Sequence, residues 1–362
     1  MERTAFIMNK TPIVAVDIFC GVGGLTYGLN KSGINVIAGV DIDEKCKFAF
    51  EENNGAMFIH KSIKEITAKE IIKLYPPQSL KVLVGCAPCQ PFSKHTHKKK
   101  DRESEEDWGL LYHFLKLIKK VEPLVISMEN VPQITKHEVF SDFVEGLETK
   151  KYSVHWQYVD CPDYGIPQNR RRLVLLASKL GEIELIPPTH KPRNYKTVKI
   201  AIGNLEPIEA GKSSKKDRLH KAAALSGVNL KRIIRSTPGS SWRDWDEDLR
   251  ADCHRKESGS TYRSVYSRME WNKPSPTITT QFFSFGTGRF GHPEQNRAIS
   301  LREGAILQTF PKKYKFTPPG SPVDFKRLGR YIGNAVPVRL GEIIGKSILK
   351  HLGDYHGKSI RA

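Results

Sequence analysis

The stretch "GCAPCQPFS" at residues 85–93 places two cysteines, Cys86 and Cys89, three apart around Pro88. Such a pair suits a redox couple, half of a zinc site, or one nucleophile with an uninvolved neighbour. The other cysteines, Cys20, Cys46, Cys161 and Cys253, are widely spread. A zinc site needs a second close pair or a Cys/His couple, and His95 and His97 lack that spacing, so no metal is expected. Cys89 follows the end of an apolar run, "LKVLVGCAP" (80–88). That puts it in the crevice at the carboxyl end of a sheet, where ligands bind. The plainer alternative is a buried, inert thiol. Cys86 is expected only to finish the strand.

Three further motifs carry chemistry. In "DIFCGVGGLTYGL" (17–29) a strand runs through a glycine-rich turn into a helix, whose free N–H groups can meet a ligand. Asp41 and Asp43 end the next strand, where an acid can accept bonds from ribose hydroxyls. The spacing Gly21-Val22-Gly23-Gly24 is not the dinucleotide G-x-G-x-x-G, and no phosphate-binding lysine follows. An adenosine ligand without phosphates, such as S-adenosylmethionine, therefore fits as well as NAD. In "MENV" (128–131), Glu129 ends another core strand and can face the same crevice as Cys89. In "GIPQNRRRLVLLA" (165–177), strand alternation sends Arg170 and Arg172 to one side and Arg171 to the other.

The elements that must position these residues alternate. Strand-like runs at 13–19, 35–43, 80–88, 124–131 and 171–179 are separated by helical periodicity at 23–33, 44–54, 110–123 and 137–152. This predicts an α/β fold, a doubly wound, mostly parallel sheet covered on both faces, with a smaller second domain. Beyond Pro187 and Pro188 glycine, proline, serine and basic residues increase. The expected organisation is a catalytic, cofactor-binding domain over 1–185, a second domain over 186–295, a connecting segment over 296–328, and a C-terminal helix over 329–362 returning to the first domain. Ser300 and Glu303 have the capping-box spacing of a helix start. The ending "GDYHGKSIRA" reads as frayed.

A formal net charge of +19 over 362 residues favours an anionic partner, and nucleic acid is the commonest large one. No apolar run of eighteen residues occurs, so no membrane span is expected. The start "MERTAFIMNKTPIVAVDIF" lacks a secretory pattern, and the expected location is cytoplasmic.

Taken in order, "DIFCGVGG", "GCAPCQPFS", "ENV", "QNRRR", "REGAILQTFP" and "IGNAVPV" resemble the motif set of the DNA (cytosine-5) methyltransferase family, of bacterial or phage modification-methylase type. The match spans nearly the whole chain except 186–295, where that family carries its variable target-recognition domain.

The resemblance implies the methyltransferase fold dependent on S-adenosylmethionine and a sequence-specific reaction on double-stranded DNA. Cys89 would attack carbon 6 of a flipped cytosine so that carbon 5 can take a methyl group. Glu129 would act at ring nitrogen 3, and Arg172 with Arg170 would bind the base carbonyl and hold the pocket. Phe19, Gly21, Gly23 and Leu25 would surround the methionine part of the cofactor, Asp41 the ribose, and Ile42 and Ile63 the adenine, with Asn334 and Ala335 completing the site. Ser62 stands where the family commonly has an aspartate bonded to the adenine amino group. On the DNA side fall Gln90, Ser93 and Thr277, with Arg289 as a candidate guanine reader. The implied setting is a monomer acting in restriction–modification, with or without a cognate restriction endonuclease.

Three rivals remain at this stage: a branch of the family acting on tRNA, a lapsed member that only binds DNA, and a dehydrogenase. Intact Cys89, Glu129 and Arg172 argue against the second, and the glycine spacing against the third.

Overall fold

The computed structural model describes residues 11–88, 105–256, 259 and 265–361. Seven strands form one sheet in the order β3-β2-β1-β4-β5-β7-β6. They are β1 (Ile13–Ile18), β2 (Asn35–Asp41), β3 (Met57–His60), β4 (Leu80–Gly85), β5 (Val125–Asn130), β6 (Ser153–Asp160) and β7 (Arg171–Ser178). β1 to β5 pair in parallel, and β7 runs antiparallel to both β5 and β6. The central strands read as near-continuous Val, Ile and Leu because helices cover both their faces. Connecting helices are α1 (Gly24–Ser32), α2 (Lys47–Asn54), α3 (Ala68–Leu74), α4 (Glu105–Val121) and α5 (Glu138–Glu148).

The chain leaves β1 toward β2 and β3, then returns to place β4 on the other side of β1. This reversal opens a crevice at the carboxyl ends of β1 and β4, the place where open α/β sheets bind ligands. Because β7 is antiparallel, its first residues lie at the same edge as the last residues of β5: Asn130 pairs with Leu173 and Glu129 with Val174.

Two compact units result: residues 1–160, 171–188 and 336–362, and residues 161–170 with 189–335. The second carries the short helices α6 (Val198–Ile202), α7 (Gly227–Arg235), α8 (Asp252–Arg255), α9 (Leu301–Leu307) and α10 (Phe325–Asn334). In the first unit, the last helix α11 (Val338–Arg361) lies directly on α1. A Cβ on Gly28 would stand 2.3 Å from the Val338 carbonyl, and one on Gly341 2.8 Å from the Leu25 carbonyl. Bare backbone at these crossings lets α11 brace the helix that opens the glycine loop.

The second unit has little regular structure, so its carbonyls need other donors. Buried guanidiniums supply them: Arg268 donates to the carbonyls of Ser236, Ile233, His292 and Gln295 at 2.7–2.9 Å. An aromatic cluster of Trp242, Trp245 and Phe285 packs with Ile233 beside it. The Ser300–Glu303 capping box forms as its spacing predicts, and Glu303 also takes both Arg297 nitrogens at 2.7 Å. Burial would raise the Glu303 carboxyl, but Arg297 holds it down at about 2. Removing one partner of such a pair strands a buried charge. Arg297→Met is therefore expected to cost about 3–5 kcal/mol, read as a lowered denaturation midpoint.

Three features depart from the sequence reading. β6 follows α5 after a left-handed Lys151 and goes unpredicted, because this edge strand turns Trp156 and Tyr158 outward and lacks an apolar run. β3 and α3 are equally unpredicted, being short. The C-terminal end is helical through Arg361 rather than frayed.

Candidate active site

The glycine loop forms where β1 meets α1. Phe19 adopts a left-handed φ of 64°, unusual for a side-chain residue, and its N–H donates to the Val40 carbonyl at 2.8 Å. Its half-buried ring meets Phe114 edge-on. Gly21, at φ 50°, has nothing within 4 Å of the place a Cβ would take. Gly23, at φ 85°, caps α1, whose first turn holds no acidic residue. The Thr26 N–H in that turn already meets the buried Asp17 carboxylate, and the helix N-terminus as a whole suits an anionic group. Leu25 is buried within α1.

Asp41 ends β2 with both oxygens engaged. Oδ2 accepts from the Gly21 N–H at 2.8 Å and Oδ1 from the Asp43 N–H at 2.9 Å. Each oxygen keeps a second lone pair. Burial raises its carboxyl, and these two bonds partly offset that. Ile42, next along, is 69 % exposed, an apolar side chain with no core to enter. Ile63 is buried in the main core cluster. Ser62 accepts from the Lys64 N–H and so caps its own turn.

Beneath the loop Asp17 is 1 % exposed; Oδ2 accepts from Thr26 Oγ1 at 2.7 Å, and Oδ1 has no hydrogen-bond partner among the described residues. Burial, reinforced by the Asp41 charge, lifts Asp17 from 3.8 to about 7. Between those values the folded protein holds a proton that the unfolded chain releases. Stability therefore falls as pH rises through this window, and the loss is complete above about 7. Asp17→Asn should stabilise the cofactor-free protein by about 2 kcal/mol at pH 8, with the gain shrinking toward pH 5. Urea denaturation at both pH values checks this. The buried Cys20 thiol beside Asp17 and Asp41 is pushed well up by burial and by those charges, so it stays protonated and unreactive.

On the other side of the switch point, register explains the next contacts. Gly85 pairs with Met128, so Cys86 falls beside Glu129. Glu129 is 3 % exposed. Arg172 Nε stands 3.0 Å from Glu129 Oε1, and Cys86 Sγ donates to Oε2 at 2.8 Å. Among the described residues Oε1 accepts no hydrogen bond despite the ion pair. The neighbouring Asn130 donates Nδ2 to the Ala87 carbonyl at 3.3 Å, fastening the turn that leads to Pro88. The reading of Cys86 as a mere strand end is thus corrected: its side chain reaches the buried carboxylate. A thiol donating to a carboxylate keeps its proton, which removes Cys86 as a rival nucleophile. Cys89, Gln90 and Ser93 lie outside the described residues.

The remaining candidates belong to the second unit. Arg170 is 4 % exposed and donates to the carbonyls of Ile278 (3.1 Å), Gly333 (3.3 Å) and Ala335 (3.5 Å). Alternation pairs it with Arg172, but Arg170 stands before β7 begins and turns into this carbonyl cluster instead. Arg171 faces the other way, over the Tyr158 ring and 3.6 Å from Asp160. Thr277 Oγ1 donates to the Asn169 carbonyl at 2.6 Å. Gln168, which the sequence did not single out, accepts from the Ile278 N–H and donates to Gln308 Oε1, both at 2.8 Å. Gln308 donates onward to the Ile332 carbonyl at 2.7 Å. The motifs "QNRRR", "TITT", "LQTFP" and "IGNA" are therefore stitched together through two glutamines. Asn334 is exposed and Ala335 half-buried. Arg289 is exposed, without an ion pair among the described residues. No group of metal-ligating side chains occurs among the described residues.

The seven-stranded sheet, with a glycine loop and a strand-end aspartate at its switch point, is that of the S-adenosylmethionine-dependent methyltransferase class. Residues 13–350 match the C-5 cytosine-specific DNA methylase family, and the chain belongs to it. It is a DNA (cytosine-5) methyltransferase, with S-adenosylmethionine as methyl donor. It is 54% identical to the type II methylase M.HgiDII of Herpetosiphon aurantiacus over 89% of this chain and 91% of that protein. It is 27% identical to the type II methyltransferase M1.HphI of Haemophilus parahaemolyticus, over 92% and 85%. Among solved structures, a DNA modification methyltransferase encoded within an E. coli prophage shares the fold at TM-score 0.71 and 22% identity, covering 94% of this chain and 99% of that one. The S. pombe Dnmt2 methyltransferase shares it at 0.58 and 16%, covering 94% and 98%. No helix among the described residues is long and apolar enough to cross a membrane.

Proposed function

We propose that the protein is a sequence-specific modification methylase that flips a cytosine from double-stranded DNA and methylates carbon 5 by covalent catalysis through Cys89. The observation that carries this reading is the buried Glu129–Arg172 pair where β5 ends and β7 begins, beside the turn that leads to Cys89. A buried carboxylate with one oxygen free of hydrogen bonds is costly unless a ligand uses it.

Carbon 5 of cytosine is a weak nucleophile. The Cys89 thiolate adds to carbon 6, and the displaced electron pair moves through the ring to carbon 5. Glu129, protonated, donates to ring nitrogen 3 and limits the negative charge there, while Arg172 steadies Glu129 and meets the base carbonyl. Bound S-adenosylmethionine supplies the electrophilic methyl group that carbon 5 takes. Loss of the carbon-5 proton then returns an electron pair to the ring and expels Cys89. Arg170 would act as a brace within the second unit, through the carbonyls it gathers.

The cradle fits the methyl donor. Phe19, Gly21, Gly23 and Leu25 would line its methionine part, Asp41 would offer its spare lone pairs to the ribose, and exposed Ile42 would cover the adenine, with Ile63 behind it. Asn334 and Ala335 would close the site. Ser62, engaged in its own turn, is not assigned to the adenine.

Residues 186–295 serve as the target-recognition domain. The second unit holds 29 basic against 14 acidic residues, a net of +15 within the chain's +19, which supports it as the main DNA-facing part. Gln90, Ser93 and Thr277 would hold the strand and Arg289 read a guanine. It would act as a monomer in the cytoplasm, in restriction–modification or as an orphan methylase, with or without a cognate endonuclease; the type II names of its relatives favour the former setting.

Incubation with labelled S-adenosylmethionine and either duplex DNA or tRNA tests the reading. Label is expected on DNA, with bisulfite sequencing of DNA from expressing cells giving the target. Label on tRNA alone, or on neither, would overturn it.

A further inference from the structure

The reaction proposed above assigns Cys86 nothing, yet its thiol touches the buried carboxylate on which base recognition rests. We propose that Cys86 is a positioning residue for Glu129, holding Oε2 so that Oε1 is the oxygen presented to the target base; this rests on the role proposed for Glu129.

The geometry divides the two oxygens. Oε2 accepts the Cys86 thiol at 2.8 Å. Oε1 faces Arg172 Nε at 3.0 Å but accepts no hydrogen bond among the described residues. An ion pair of that kind fixes charge without fixing the carboxyl rotation, because a terminal sp³–sp² torsion is broad and twofold. A directional donor on one oxygen supplies the missing constraint. A half-turn merely exchanges two equivalent oxygens, but with one of them engaged a quarter-turn of the carboxyl plane would cost the thiol bond, and the other oxygen stays on the Arg172 side.

The backbone makes Cys86 a firm point of attachment. It follows β4 immediately, its N–H donates to the Ile18 carbonyl at 3.3 Å, and the Asn130–Ala87 bond fastens the next residue. Cys86, one residue past β4, and Glu129 on β5 are thus placed by two adjacent parallel strands in fixed register. A thiol suits the task because it is a weak donor. It orients the carboxyl while leaving Oε2 a lone pair, and it does not compete strongly with the base.

The test uses the full chain and compares Cys86→Ala with Cys86→Ser. Under single-turnover conditions on target-bearing duplex DNA, the alanine variant should lose about tenfold in methyl transfer and show an altered pH–rate profile. The serine variant, which keeps a donor, should return to within about threefold of the parent and recover the parent's profile. S-adenosylmethionine binding, measured by calorimetry, should stay within about twofold in both. An alanine variant with the parent's rate and profile overturns the proposal, as does a serine variant that falls as far as alanine.

A second readout does not need turnover. The Cys86 S–H stretch, isolated as the infrared difference between parent and Cys86→Ala, should move when Glu129→Gln is introduced. A band indifferent to Glu129→Gln overturns the proposal even in an active enzyme. A band that responds, in a protein that transfers no methyl group to DNA, supports the contact and overturns the functional reading it serves.

Discussion

Cys89→Ala is expected to abolish methyl transfer, with a loss on the order of 10⁴-fold or more, because no other thiol can replace it. Cys20 is buried among carboxylates that keep it protonated, and Cys86 has its proton committed to Glu129. Cys46 and Cys161 are buried, and Cys253 belongs to the second unit. Without the sulfur, carbon 5 of the base keeps its poor nucleophilicity, and binding energy alone does not supply the missing electron pair. Single-turnover transfer of labelled methyl to duplex DNA measures the loss. Calorimetric titration should show S-adenosylmethionine binding within threefold of the parent. Residual transfer above about 1% of the parent rate would mean that the nucleophile lies elsewhere. Cys86→Ala, by contrast, should retain about a tenth of the rate, a separation of roughly three orders of magnitude between two residues three apart.

Glu129→Gln ranks second, with an expected loss of about 10²–10⁴-fold in the same assay. The amide nearly matches the carboxyl in shape and keeps an acceptor for Cys86, so the strand should hold. It cannot deliver a carboxyl proton to ring nitrogen 3. It also leaves Arg172, only 13 % exposed in its side chain, without a counter-charge at 3.0 Å. Breaking such a pair carries a stability cost as well. Rates should therefore be compared at temperatures where circular dichroism shows both proteins folded. Loss of rate with DNA binding unchanged separates a chemical role from a binding one. A Glu129→Gln protein that keeps more than a tenth of the parent rate would remove Glu129 from the chemistry.

Much of the frame is legible in the amino-acid sequence. Apolar runs of Val, Ile and Leu marked β1, β2, β4, β5 and β7, since strands buried on both faces have little freedom in composition. The capping box at Ser300 and the closing Gly33 marked helix ends through local chemistry. The elements that escaped notice were short or half-exposed. β6 carries aromatics on an open face, and β3 has only four residues.

The candidate site divides in the same way. Glu129, Arg172, Asp41 and the glycines were identifiable because a charged or glycine residue at the end of an apolar strand has few purely structural reasons to be there. The fate of Arg170 was not identifiable, although alternation matched it with Arg172. It stands one residue before the strand begins, where the period of two no longer holds, and the nearest unsatisfied carbonyls decide its direction. The two glutamines that join four motifs were invisible for another reason. Their partners lie more than a hundred residues away for Gln168 with Ile278 and Gln308, and no local pattern records such a meeting.

By itself, then, the amino-acid sequence determined the chemistry available to this protein and the alternation of five of its seven strands with helices, because both depend on residue types and short spacings. Only the tertiary structure decided that Cys86 serves Glu129. That contact follows from the pairing of Gly85 with Met128, a register fixed by the packing of two strands forty-three residues apart. One step of register would have turned the thiol to the opposite face, and the same sequence motif would have been left with a cysteine that does nothing.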